Sequence, residues 1–206
     1  MKHLYISILF SLVACTACAD SAAILTKLQT NGATINTIAS RFVQRRHVQV
    51  LKNDVVASGR FYYQHNDKIC MIYDRPQGDL LLMNGDDFVM IADGRRSVVN
   101  AQTNPMLKQL RTLLTACVSG DFERLKTGRN TQLVVDETDA HYILTAMFDG
   151  SAKKMYASIV LTFDKQNLAL QVLRMNEANG NFTEYTFESP TFNQAIDARV
   201  FDVTKQ

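Results

Sequence analysis

Residue types that perform acid–base or metal chemistry are few and scattered in this sequence. The four histidines are His3, His47, His65 and His141, and they do not stand at the spacing of a metal site or a catalytic triad. Two acidic pairs, Asp86–Asp87 and Asp136–Glu137, adjoin turns, where carboxylates are usually solvated. The sequence has no motif for a serine nucleophile, a zinc helix or a phosphate loop. We therefore expect a protein that is not an enzyme and that uses no metal or cofactor.

The four cysteines fall into two groups. Cys15 and Cys18 lie near the N-terminus, in a stretch that we interpret below as processed. Cys70 and Cys117 remain, and an oxidising compartment would allow them to form a disulfide. They could equally be two separate buried thiols that act as small apolar residues. Without nearby histidines they do not form a metal site.

The N-terminus has the pattern of an export signal. A short basic start, Met1–His3, precedes the apolar stretch Leu4–Ala14, which has the length of a signal-peptide core and is too short to span a bilayer. Ala17-Cys18-Ala19 fits the small-residue cleavage rule, which predicts a signal peptide over residues 1–19 and a periplasmic mature protein. In the alternative, Leu12-Val13-Ala14-Cys15 is a lipobox, and an acylated Cys15 would anchor the protein to a membrane.

The remaining chain, residues 20–206, has the composition of a single domain. Hydrophobic residues make up 47% of the 206 positions, which is enough for one well-packed core and marginal for two. The formal charge of +2 provides no basic field for nucleic acid. No linker rich in proline or serine divides the sequence. We expect one domain that acts as a monomer and does not bind nucleic acid.

Turn residues recur at intervals of roughly ten positions and separate about eleven strand-like stretches. Asn84-Gly85 is the clearest hairpin signal among them. A first helix is expected from Asp20 or Ser21 to Asn31-Gly32. A second is expected from Pro105 to Cys117, where leucine and methionine recur at helical spacing. This pattern predicts a mainly β, α+β protein built on an antiparallel sheet or barrel.

Two of the expected strands are unusual because they are apolar on both faces. Lys68–Tyr73 and Asp79–Met83 do not alternate, although a strand of an antiparallel sheet with one wet face should. Something must therefore cover the second face. A solid core is one solution, and a cavity that receives an apolar ligand is another. The second helix could serve as a plug in the first case and as a lid in the second.

Five segments with weak motifs span nearly all of the mature chain; they are Ile38–Gln44, Gly59–Tyr63, Tyr73–Pro76, Met83–Ile91 and Tyr185–Phe201. These motifs and the order of the elements resemble the outer-membrane lipoprotein carrier family, also called LolA-like. The resemblance implies an incomplete, unclosed antiparallel β-barrel whose helices cover an apolar cavity. It implies that acylated lipoproteins are the cargo, received from an inner-membrane ABC-type release complex and passed to an outer-membrane acceptor.

The resemblance and the strand alternation together give a set of candidate residues for the lipid-binding cavity. On the sheet they are Phe42, Phe61, Tyr63, Ile69, Met71, Leu80, Leu82, Phe88 and Met90; on the second helix they are Leu110, Leu113 and Leu114. The face of each strand is assumed, because a slip of one residue reverses every side chain. His65-Asn66 stands where the family usually has a basic residue before proline. His65 is therefore the candidate for tuning the lid, unless it is simply an exposed turn residue.

Other functions fit the same residues. A carrier of a different amphiphile, or a lipid-anchored outer-membrane acceptor acylated at Cys15, would have the same shape. An envelope enzyme or sugar-binding domain would have a solid core and a polar cluster, for which His141 is the candidate. A purely structural interaction domain would have a partner surface and no cavity. A cavity of several hundred Å³ would favour the lipid-binding functions over the last two.

Overall fold

The computed structural model describes residues 14–126, 131–149 and 156–204. Most of the predicted signal peptide lies outside these residues, as do the side chains of Cys15 and Cys18. Across the described part of the chain, no helix combines the length and the apolar character that crossing a membrane requires.

Within these described residues, eleven antiparallel strands form one continuous sheet. They are β1 (Thr37–His47), β2 (Val55–Gln64), β3 (Lys68–Arg75), β4 (Leu80–Asn84), β5 (Asp87–Ala92), β6 (Arg95–Asn100), β7 (Gln132–Glu137), β8 (His141–Met147), β9 (Ser158–Asp164), β10 (Leu170–Asn176) and β11 (Phe182–Phe192). Their order across the sheet is β6-β5-β4-β3-β2-β1-β11-β10-β9-β8-β7. β6 and β7 are the two edges and do not pair with each other, so the fold is the unclosed barrel that the sequence predicted.

Short turns explain nearly all of this topology. Every pair of neighbouring strands except β1 and β11 is consecutive in the chain, as expected where each turn signal closes a hairpin. The exception joins the two halves of the sheet, because β1 pairs with β11 from Ile38 opposite Phe192 to His47 opposite Phe182. Both strands are eleven residues long, and together they form the middle of the sheet.

The second helix, α2 (Pro105–Ser119), follows β6 in the chain and packs against the inner face of the sheet. Its N-cap is Asn104, whose side chain accepts hydrogen bonds from the backbone N–H groups of Met106 at 3.1 Å and Leu107 at 3.2 Å. Such a cap satisfies amide groups that have no partner inside the helix. Gly120 ends the helix in the left-handed conformation with φ 74°, which favours glycine. The sequence prediction for this helix is confirmed.

The first helix, α1 (Ala14–Ala33), is longer than predicted at both ends. It begins before Asp20, and it continues through Asn31-Gly32, where the sequence was expected to end it. Gly32 has a packing role instead of a terminating one. A Cβ atom at this position would lie 2.3 Å from the backbone oxygen of Ser119, so only glycine allows α1 to approach the end of α2 this closely.

Apolar side chains pack on both faces of the sheet. The larger cluster lies between the inner face and the two helices, and includes Phe42, Leu113 and Leu144. The smaller cluster lies on the outer face of β3, β4 and β5, where Phe201 is buried against Leu80 and Leu82. The C-terminal segment therefore covers the second apolar face that the sequence left unexplained.

Candidate functional site

A cavity of about 250 Å³ lies between α2 and the inner face of the sheet. Its apolar wall comes from both halves of the sheet and from one stripe of the helix. The apolar lining residues are Phe61, Ile69, Met71, Leu81, Leu110, Leu114, Val118, Leu173, Met175 and Phe187. The three residues of α2 in this set are spaced four apart, so they lie on the same side of the helix. The cavity is thus a gap between a helix stripe and the alternate residues of the strands beneath it.

The structure brings five of the predicted cavity residues together. Phe61, Ile69, Met71, Leu110 and Leu114 line the cavity. Phe42, Tyr63, Phe88 and Leu113 belong to the same core cluster but are not among the lining residues. Met90 is 36% exposed and lies outside the lining.

The expected face of β4 was wrong. Leu80 and Leu82 point to the outer face and pack against the C-terminal segment, whereas Leu81 between them lines the cavity. The pairing of Cys70 with Leu82 and of Met71 with Leu81 fixes this register. The predicted strand is apolar at every position after its first residue, so the pattern itself did not indicate the face.

One end of the cavity is polar, and the sequence prediction did not include it. Its residues are Gln44, Arg46, Tyr156, Glu177, Thr183 and Tyr185. The Tyr73 hydroxyl donates a hydrogen bond of 2.8 Å to the Gln44 side-chain oxygen, and burial raises the pKa of Tyr73 and of Tyr185. Both phenols therefore stay protonated and act as hydrogen-bond groups. The sequence contained one signal for this polar end, because Phe42, Gln44 and Arg46 alternate along one face of β1.

Two opposite charges stand at this polar end without pairing. Arg46 lies on β1 and forms no ion pair or hydrogen bond with any residue that the structure describes. Its neighbour Arg45 faces outward and binds Glu184 at 3.0 Å. Glu177 follows β10, and its carboxylate accepts hydrogen bonds from the side-chain amides of Asn179 at 3.2 Å and Asn181 at 3.4 Å.

The N-terminal half of α2 is attached to the β4–β5 turn by polar contacts. Arg111 donates to the Gly85 carbonyl at 3.0 Å and forms an ion pair with Asp86. Gln102 donates a bond of 2.7 Å to the same carboxylate. The hydrogen bonds from Gln102 and Arg111 lower the pKa of Asp86. These contacts hold the helix over the cavity.

A second, polar cleft lies at the other end of α2. It has a volume of about 440 Å³, and its lining includes Tyr63, His65, Asp67, Thr115 and Arg124. His65 is exposed here and does not line the apolar cavity. Asp67 and Asp121 are both ion-paired with Arg124. The role of His65 in tuning the lid stays a prediction.

His141, Cys70 and Cys117 are the remaining side chains that the sequence analysis considered for chemistry. His141 lies 3.0 Å from the side-chain oxygen of Gln171, which in turn donates to Asp164. Cys70 and Cys117 are both free thiols in different clusters, so they do not form the disulfide that the sequence allowed. Burial raises the pKa of each thiol to about 12. Among the residues described, no group of three or more possible metal ligands is found.

Comparisons with known proteins agree with this architecture. A family model described as outer membrane lipoprotein carrier protein LolA matches residues 33–204. Among solved structures, a DUF1329 family protein from Desulfovibrio piger is 12% identical with a TM-score of 0.51, over 91% of this chain and 98% of that one. An uncharacterized conserved protein from Thermus thermophilus is 8% identical with a TM-score of 0.50, over 88% and 92% of the two chains. A LolA superfamily protein from Nitrosomonas europaea is 10% identical with a TM-score of 0.46, over 90% and 99%.

The comparisons differ in how much they show about the family of this chain. Curated protein sequences give no match to this chain, and the Desulfovibrio piger and Thermus thermophilus structures, at such low identity, show a shared fold alone. The family model is stronger, because it spans residues 33–204 and so covers all eleven strands and α2. The chain belongs to the outer membrane lipoprotein carrier protein family, LolA.

Proposed function

We propose that this protein is a carrier of the bacterial cell envelope that holds the acyl chains of its cargo in the cavity beneath α2. The observation that carries the proposal is the apolar lining contributed by both halves of the sheet and by one stripe of the helix. Each CH₂ group of an acyl chain that enters such a lining contributes about 0.8 kcal/mol to binding. Family membership supports lipid or lipoprotein as the class of cargo.

In the full form of the proposal, the cargo is an acylated lipoprotein carried through the periplasm. An inner-membrane ABC-type complex would release it to the carrier, and an outer-membrane acceptor would receive it. The resting cavity, at about 250 Å³, is slightly smaller than typical ligand pockets. We therefore expect α2 to move away from the sheet when a long acyl chain enters. The protein itself has no catalytic role in this scheme.

The test is uptake of a fluorescent fatty-acid probe by the purified protein, combined with native mass spectrometry of material that co-purifies with it. Leu114→Glu places a charge in the cavity lining and should abolish probe binding. Met106→Glu is the matched control, because Met106 lies on the same helix and is 62% exposed. Circular dichroism establishes that both variants are folded. A wild-type protein that takes up no probe and co-purifies with no acylated molecule would overturn the proposal.

The lipobox at Leu12–Cys15 favours a second candidate, an outer-membrane acceptor of the same shape that is anchored by an acylated Cys15. The mass of the mature N-terminus distinguishes the two. Cleavage before Asp20 gives an unmodified periplasmic carrier. Cleavage before Cys15 with the added mass of acyl groups gives the anchored acceptor.

A further inference from the structure

We propose that the polar end of the cavity recognises a zwitterionic head group, with its anionic part at Arg46 and its cationic part at Glu177. This inference rests on the proposed carrier function, and it names a zwitterionic phospholipid, in place of an acylated lipoprotein, as the amphiphile whose acyl chain the cavity holds. A phosphoethanolamine lipid has this chemistry, with a phosphate and an ammonium group close to its acyl chains.

Arg46 is the anion-binding part of this end. Its position on β1 follows the alternation of Phe42 and Gln44, so its side chain reaches the cavity lining. The other two arginines nearby are already paired, since Arg45 binds Glu184 at 3.0 Å and Arg174 binds the same carboxylate at 3.2 Å. Within the described residues, Arg46 has no such acceptor. A guanidinium without a partner beside an apolar cavity is a ready site for a phosphate or carboxylate.

Glu177 is the cation-binding part. One oxygen of its carboxylate accepts the side-chain amides of Asn179 and Asn181, and these two bonds orient the group. The other oxygen has no hydrogen-bond donor in the part of the chain that the structure describes. An ammonium group carries three donors and fits an acceptor of this kind.

Arg46, Glu177 and Tyr156 line the same polar end of the cavity. Burial is the main cause that raises the pKa of Tyr156; the charge of Glu177 raises it further and the charge of Arg46 lowers it. Both side chains therefore act on Tyr156, yet they form no ion pair with each other. A group that carries both charges could therefore bind both residues at this end of the cavity.

Other head groups fit this arrangement less well. A purely anionic head group would gain the contact with Arg46 but would be repelled by Glu177. An uncharged head group would form a charge-assisted hydrogen bond with neither Arg46 nor Glu177. Only a zwitterion gains from both ends.

The experiment uses the full-length purified protein and competition against the fluorescent fatty-acid probe. The competitors are short-chain lipids with identical acyl chains: a phosphatidylethanolamine, a phosphatidylglycerol, a diacylglycerol and a diacylated lipopeptide. We expect phosphatidylethanolamine to compete best. Arg46→Gln should weaken both phospholipids by roughly tenfold, as loss of a charged hydrogen bond would. Glu177→Gln should weaken phosphatidylethanolamine and strengthen phosphatidylglycerol.

Arg45→Gln is the matched control, since Arg45 is the adjacent arginine on the outer side of β1, and it should change none of these affinities. Equal competition by all the lipids, unchanged in the Arg46 and Glu177 variants, would overturn the head-group inference while leaving the carrier function intact. A lipopeptide that outcompetes phosphatidylethanolamine, and is insensitive to both substitutions, would overturn it as well. If no competitor displaces the probe, or no probe binds, the carrier function fails and the inference fails with it.

Discussion

Both faces of β3, β4 and β5 carry buried apolar side chains, but the two faces are covered in different ways. On the inner face the strands are covered by the regular helix α2, whose side chains Leu110, Leu114 and Val118 lie on one side of the helix and face the strands. On the outer face the cover is the irregular C-terminal segment, which places Phe201 directly between the strands' side chains. A segment without a fixed period can follow the surface beneath it, whereas a straight helix over a twisted sheet leaves gaps.

The attachments of the two covers also differ. Asn84 donates a bond of 3.0 Å to the Phe201 carbonyl, and Arg96 donates one of 2.6 Å to the Val203 carbonyl. These bonds go to the backbone of the C-terminal segment and fix its path. The α2 helix is attached by the side chain of Arg111 to Gly85 and Asp86. The comparison indicates that the outer face contributes stability and that the inner face can open, and four experiments test this difference.

The largest effect is expected on the outer face. Phe201 is 1% exposed, so Phe201→Ala should destabilise the protein by about 3–5 kcal/mol through loss of burial and creation of a void. Urea denaturation measures the change. The folded variant should bind the fatty-acid probe as the wild type does. Val50→Ala is the control, because Val50 is 90% exposed and its truncation should have almost no effect. A large loss of probe affinity in folded Phe201→Ala would contradict the separation of the two faces.

Adjacent leucines on α2 separate core packing from cavity lining. Leu113 is 1% exposed, and Leu113→Ala should cost about 2–5 kcal/mol of stability. Leu114 is half-buried and lines the cavity, so Leu114→Ala should cost only roughly 1 kcal/mol of stability while weakening probe binding about fivefold. Denaturation and probe titration on the same two samples provide both numbers. Equal stability losses would show that the gap beneath α2 is filled in solution.

Acid should loosen the attachment of α2. The Asp86 pKa is lowered in the folded protein by Gln102 and Arg111, so its contribution is present above the unfolded value near 3.8 and is lost as the pH falls through the lower folded value. We expect faster probe uptake at the acidic end of this window. In the Asp86→Asn variant, probe uptake should already be fast at neutral pH and should no longer depend on pH in this range. Asp87→Asn is the matched control, and an unaltered pH profile in Asp86→Asn would refute the attachment.

The two buried thiols provide the smallest and most local test. Each has a pKa of about 12, so only about one molecule in ten thousand is ionised at pH 8 without opening. In a chain with Cys15→Ala and Cys18→Ala, we expect Cys117 on α2 to be alkylated a few times faster than Cys70 on the outer face. Adding Phe201→Ala should reverse the order. Peptide mass spectrometry measures both rates, and equal rates in every variant would mean that the faces open together.

Local signals were sufficient for most of the fold. Turn residues such as Asn84-Gly85 separate the strands correctly. Asn104 and Pro105 begin α2 and Gly120 ends it, as the capping preferences of these residues require. The extent of α1 was missed, because Gly32 has the usual appearance of a helix end but serves a contact with Ser119, which lies far away in sequence.

The candidate site depended more on distant residues. The faces assumed for β2 and β3 place Phe61, Ile69 and Met71 on the side of the sheet where the structure has them, in the cavity lining. The face of β4 was not predicted correctly, because its leucines are equally apolar and the decision lies with the C-terminal segment, at the far end of the chain. The polar end was missed for a similar reason, since Arg46 and Glu177 come from opposite ends of the domain and meet only when β1 pairs with β11.

The C-terminal end of α2 lies in close contact with α1, because Gly120 packs against Gly32. A Cβ at Gly120 would lie 3.2 Å from the Gly32 Cα atom, so the C-terminal end of the helix packs directly against α1. The opposite end is attached to the β4–β5 turn through the side chains of Arg111 and Gln102. Because α2 has fifteen residues and so spans roughly 22 Å, its end near Met106 would move farther than its end near Ser119 when the helix tilts away from the sheet.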